Sequence, residues 1–197
     1  MVKILVLLLS VLPSITLADS QYTNSNKVYL SVDGTGANIT IDQNGNRNRV
    51  YGIDDGWAEI NGTNNTVNIK QTGRNLIRLE QIGNNNTVIT DQVNVGSTNQ
   101  NIQKISAQGN NISVSAQQNN YGGTSIHSLE ATVVGNGHTI TVDQRGEGAH
   151  GATINLTNAG GASNIMLNQL GNSGATYSIT QSCANLSGCS VSVTQGQ

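Results

Sequence analysis

The sequence has no phenylalanine and only 3 % aromatic residues. A conventional two-layer core draws on bulky apolar side chains. A hydrophobic content of 36 % without them argues against such a core in a chain of 197 residues. Charge is also sparse, at 10 % with a net −2. No basic stripe exists for nucleic acid, and the aromatics are too scattered to stack bases. Proline occurs once, at Pro13, so nothing beyond it must interrupt a strand ladder. Motifs that carry chemistry are missing as well: there is no Gly-rich phosphate loop, nucleophile elbow, zincin helix or calcium nonapeptide repeat. His127, His138 and His150 are spread over different segments and read as plain surface residues. No catalytic, cofactor-binding or metal-binding residue is therefore assigned, no cofactor is implied, and an enzyme is the weakest reading.

The one long apolar run stands at the N-terminus. Lys3 supplies a positive end, residues 4–12 an apolar stretch, and Thr16, Leu17 and Ala18 a small-residue cleavage site. This predicts a secretory signal over residues 1–18, too short to span a membrane, followed by a polar tail over residues 19–27. No other transmembrane segment is read. The only cysteines are Cys183 and Cys189. An exported chain meets oxidising surroundings, which favours a disulfide between them over free thiols. Two cysteines without nearby histidines are at best half a zinc site.

What is abundant is a short phrase, apolar-x-apolar-x-Gln. It ends at Gln43, Gln71, Gln92, Gln118, Gln144, Gln169 and Gln195, spaced 21 to 28 residues apart. The apolar pairs are Ile39/Ile41, Val67/Ile69, Val88/Thr90, Val114/Ala116, Ile140/Val142, Ile165/Leu167 and Val191/Val193, weakened only by Thr90. Alternation with period two places each pair and its glutamine on one strand face. Eleven residues earlier lies a second strand position, at Val32, Ile60, Gln81, Ala107, Val133 and Asn158; before Gln195 the gap widens to fourteen, at Gln181. Two residues after these six positions comes Gly34, Gly62, Gly83, Gly109, Gly135 or Gly160, and Cys183 takes that place in the last turn. From each glycine to the next strand's first apolar residue is always five residues, a shared tight arc suited to positive φ. The return connections vary in length, as surface loops do.

These spacings predict an all-β, two-strands-per-turn, cross-β solenoid of about seven turns over residues 28–197. Its rungs lie about 4.8 Å apart. An inward glutamine left unpaired costs about 1–3 kcal/mol. Stacked at the strand spacing, each amide can donate to the next, and the column becomes a ladder that fixes register. The residues just before the glutamines face outward, starting as minus, plus, minus at Asp42, Lys70 and Asp91. Such pairs contribute about 1 kcal/mol or less on an exposed face.

The pattern resembles curlin, the repeat family of curli amyloid subunits, whose phrase is Gln-x-Gly-x-x-Asn-x-Ala-x-x-x-Gln. Gln81, Gly83, Asn86, Val88 and Gln92 follow it, with Val in the Ala place. The likeness covers about residues 28–197. Departures are Val32, Ile60, Ala107 and Val133 at the first Gln place, an Asn place kept only by Asn65 and Asn86, and the cysteine pair. The resemblance implies a secreted subunit that self-assembles into extracellular functional amyloid on a bacterial surface, for cell adhesion and biofilm matrix. It also implies a nucleating subunit and outer-membrane export machinery as partners. The residues alone point the same way, because terminal strands 28–32 and 191–195 have open edges that another copy can extend. The competing reading is a monomeric secreted solenoid with a binding or adhesin role, its ligand near Trp57, Asp54 and Asp55, against a plain polar turn there.

Overall fold

The computed structural model describes residues 3–9, 14–19, 26–45, 47–54, 56–95, 100–121, 125–157, 161–182 and 188–196. They contain strands and connections but no helix. The strands are β1 (Lys3–Leu9), β2 (Ser14–Asp19), β3 (Lys27–Asp33), β4 (Asn38–Gln43), β5 (Arg49–Tyr51) and β6 (Ala58–Asn61). Next come β7 (Thr66–Gln71), β8 (Asn75–Ile82), β9 (Thr87–Val95), β10 (Asn101–Gln108), β11 (Ser113–Tyr121) and β12 (Ser128–Thr132). The last are β13 (Thr139–Arg145), β14 (Gly151–Leu156), β15 (Asn164–Leu170), β16 (Thr176–Gln181) and β17 (Ser190–Gln195).

The chain alternates between two parallel sheets. One runs β1-β3-β5-β8-β10-β12-β14-β16, with β6 beside β3 and β8, and the other runs β17-β15-β13-β11-β9-β7-β4-β2. The result is a β-solenoid of about six turns. Equivalent residues pair rung to rung, so Ile39, Val67 and Val88 lie in one column. The Gly52–Trp57 connection splits one strand into β5 and β6, which share β3 and β8 as neighbours.

Alternation explains the core. Leu30, Ile60, Leu79, Ile105 and Ile154 from the first sheet meet Ile39, Ile69, Val88, Val114, Ile140 and Ile165 from the second, all at 1 % exposure or less. Each such side chain contributes about 1.5–3 kcal/mol by leaving water. In β7, Asn68 and Lys70 point outward while Val67, Ile69 and Gln71 point inward. Small aliphatic pairs suffice because the two sheets enclose a narrow space.

The arcs joining the sheets depend on glycine. Gly83 and Gly109 sit at φ 114° and 97°, and a methyl on either would collide with the carbonyl oxygen of the next glycine in the column. Two residues later the backbone is again left-handed, at Gly36, Asn64, Asn85, Asn111 and Gly137, types that tolerate this region.

Candidate functional site

The glutamines form one interior column on the second sheet. Gln43 is 4 % exposed and Gln71, Gln92, Gln118, Gln144 and Gln169 are fully enclosed, while Gln195, on the last rung, is half-buried. Register is unbroken from Gln43 to Gln195. Gln71 Nε2 donates to Gln43 Oε1 at 2.8 Å, Gln118 Nε2 to Gln144 Oε1 at 3.1 Å and Gln144 Nε2 to Gln169 Oε1 at 2.7 Å. The same nitrogens tie across the interior: Gln92, Gln118 and Gln144 donate to the carbonyls of Leu76, Ile102 and Ser128. The ladder thereby links both sheets as well as successive rungs.

Two further columns stand at the corners. Asn26, Asn48, Asn75, Asn101, His127 and His150 occupy the return corner and are all buried. There Asn26 Oδ1 accepts from the Asn48 backbone N–H at 3.0 Å, and Asn48 Oδ1 from that of Asn75 at 3.0 Å. At the arc corner Asn65 Oδ1 accepts from the Asn86 N–H, Asn86 Oδ1 from the Ile112 N–H, and His138 Nδ1 from the Ser163 N–H. These side chains satisfy backbone donors that the bend takes out of the strand ladder. On the outside of the arcs Asn84, Asn110 and Asn136 repeat the device one rung apart.

The three histidines correct the surface placement read from the sequence. His127, His138 and His150 are 0 %, 1 % and 1 % exposed, because each takes a corner place that asparagine fills in other rungs. His127 and His150 meet edge to face, with centroids 5.0 Å apart. Each Nε2 lies 3.0 Å from a carbonyl, of Gly146 and Gly171 respectively. A carbonyl only accepts, so Nε2 carries the proton, and both Nδ1 atoms are buried without a hydrogen-bond partner. Burial, then the neighbouring His150, lowers His127 to about 4. Burial also lowers His138.

Gly34, Gly62, Gly83, Gly109 and Gly135 all hold positive φ in the arcs. Gly160, Asn158 and Cys183 lie outside the described residues. Cys189 is disulfide-bonded. Asp42, Lys70 and Asp91 stand in register on the outer face, and Glu59 neighbours Glu80 on the other sheet. Ser106 Oγ donates to Glu80 at 3.2 Å, and Lys104 pairs with Glu130 at 3.2 Å.

Around the split strand, Tyr29 stacks on Tyr51 at 5.0 Å and meets Trp57 edge-on at 5.8 Å. A cleft of about 300 Å³ opens beside Trp57, lined also by Asp54, Glu59 and Glu80. Asp55 lies outside the described residues. Among the described residues there is no cluster of three or more metal-ligating side chains, and no helix is long and apolar enough to cross a membrane.

The last rung differs from those inside. Tyr177, Ile179, Val191 and Val193 point inward but are only half-buried. Their neighbours Ala152, Ile154, Ile165 and Leu167 are at most 4 % exposed. Gln195 Oε1 has no hydrogen-bond partner. Among the described residues, strands β16 and β17 each pair on one side only. The chain matches no known protein family, curated protein or solved structure.

Proposed function

We propose that the chain is a secreted structural subunit that adds head to tail, by β-strand addition, into extracellular curli-like amyloid fibres serving adhesion and biofilm matrix. The half-buried last rung carries this reading. Its inward apolar side chains and one-sided strands are the surface that a further rung covers. The first rung of a second copy, β3 with β4, offers matching columns: Val28 and Leu30 over Tyr177 and Ile179, and Ile39, Ile41 and Gln43 over Val191, Val193 and Gln195. Near the N-terminus the amides donate toward the first rung. A Gln43 amide aimed that way meets the unpartnered Gln195 oxygen. A heterologous contact of this kind does not close, so it propagates as a filament.

In register, β1 and β2 form a rung on β3 and β4, with Ile4, Val6 and Leu8 opposite Val28, Leu30 and Val32. Removal of residues 1–18 as a secretory leader takes that rung away and leaves the rung of β3 and β4 as an open end opposite that of β16 and β17. A nucleating subunit and outer-membrane export machinery are the partners such a route needs. Thioflavin-type dye binding and a 4.8 Å fibre reflection from the cleaved chain are the expected results. A monomer that persists at high concentration overturns the reading.

The aromatic and acidic cleft at Trp57 favours a second reading, a monomeric secreted solenoid that binds a ligand. Light scattering over time separates the two, since that reading gives a constant signal.

A further inference from the structure

Left-handed backbone falls on glycine or asparagine everywhere among the described residues except at two places, Arg47 at φ 62° and Arg74 at φ 44°. A long side chain gains nothing locally from that conformation, and such outliers persist where the surroundings or a function require them. The two positions are equivalent in successive rungs. Each immediately precedes a corner asparagine, Asn48 or Asn75, and those asparagines are hydrogen-bonded to each other at 3.0 Å. The corner ladder therefore holds the two arginines about one strand spacing apart.

Arg47 and Arg74 line one pocket of about 210 Å³ together with Arg49 and Gln100. Gln100 precedes Asn101, the next residue of the same corner column. Lys27 stands in register beside Arg49 and adds to the positive field. Three of the chain's five arginines thus converge in a protein with only 10 % charged residues, and no acidic side chain is among the described lining residues. Positive charges gathered in one pocket raise the local concentration of anions there.

We propose that Arg47, Arg49 and Arg74, with the Gln100 amide, form a binding site for an oxyanion: a carboxylate, phosphate or sulfate group, free or carried on a sugar. The guanidinium fork matches such groups through paired N–H donors, and the pocket has room for one anionic group with part of its carrier. Arg47 and Arg49 face outward at the return edge, whereas assembly joins inward columns and strand backbones, so the site stands whether or not the chain forms fibres.

The test titrates the full chain at low ionic strength with inorganic phosphate, sulfate and glucuronate, and with glucose as the neutral control, by calorimetry. At least one oxyanion binds saturably and glucose does not. Equal affinity for all three means that the oxyanion alone is read; tighter glucuronate means that the carrier is read too. Arg49→Gln, Arg47→Gly and Arg74→Gly each weaken binding about tenfold or more. The two glycine variants unfold at the same or a higher temperature, because glycine accepts positive φ without strain. Absence of saturable binding overturns the site, as does unchanged affinity in the variants. Lower melting temperatures in both glycine variants overturn it too, by assigning the arginines to stability.

Discussion

Gln92 and Gln118 stand one above the other in register, yet each turns its amide nitrogen away from the other. Gln92 Nε2 donates to Gln71 Oε1 at 3.5 Å, and Gln118 Nε2 donates to Gln144 Oε1 at 3.1 Å. Two carbonyl oxygens, both buried and both without a partner, thus face each other across one strand spacing. The ladder has two halves of opposite polarity, and at this junction neither amide donates to the other.

That polarity ranks the glutamines. Gln144 both accepts and donates within the column, so Gln144→Ala strands a donor on Gln118 and an acceptor on Gln169. The expected loss is about 2–5 kcal/mol, with a matching delay in assembly. Gln118→Ala removes one of the two opposed oxygens and costs less. Gln117, on the outer face, accepts from Arg145 at 3.0 Å, and Gln117→Ala changes stability by about 0.5 kcal/mol or less. Urea midpoints of the three variants check the order; equal losses at Gln144 and Gln117 contradict it.

The histidine corner makes stability depend on pH. His127 lies at about 4 in the folded chain against an ordinary 6.5. The unfolded chain therefore takes up this proton first as pH falls. Stability from this group is complete above about pH 6.5, is lost between about 6.5 and 4, and changes no further below. A loss of about 1–3 kcal/mol is expected across that window. His127→Asn places the residue found in other rungs of the column and removes this part of the dependence, leaving that of His138. Denaturant midpoints at pH 7.5 and 5 measure both chains.

The arc glycines predict a contrast. Gly109 has φ 97° and its Cα faces the Gly135 carbonyl, whereas nothing lies within 4 Å of a methyl added at Gly56. Gly109→Ala is expected to destabilise by about 3 kcal/mol. Gly56→Ala is expected to be neutral or to stabilise by up to about 1 kcal/mol. Thermal unfolding reads both, and a mild Gly109→Ala places the arc outside the register constraint.

Charge on the last rung should stop growth without unfolding the subunit. Val193 points into the half-open end and Ser192 points outward. Val193→Asp slows seeded elongation about tenfold or more, equivalent to about 1.4 kcal/mol at the growing end, while Ser192→Asp leaves it near the parent rate. Equal rates in a seeded dye-binding assay exclude the end rung as the docking surface.

Much of this architecture is legible in the sequence. In a parallel solenoid, rung register follows the repeat, and alternation with period two assigns a face to each strand residue. Val67, Ile69 and Gln71 were readable as inward on that ground, with Lys70 outward between them. The corners were not readable, because a bend has no period. His127 reads along the chain as a plain surface residue, although it takes the place that Asn101 fills one rung earlier. The arginine pocket was hidden for another reason. Arg47 follows its glutamine by four residues, Arg74 by three and Gln100 by eight, so counting along the chain does not align them.

The amino-acid order alone set the strand repeat, the inward phase of the glutamines and the five-residue arcs, since these depend on short-range spacing and on where a backbone can bend. Three-dimensional packing settled the rest: which way each amide points, which polar residues close the corners, how the loop before Trp57 splits a strand, and which cations meet. Those outcomes turn on distances between residues 20 or more positions apart, such as Asn48 and Asn75. No local pattern encodes such distances until the rungs are stacked.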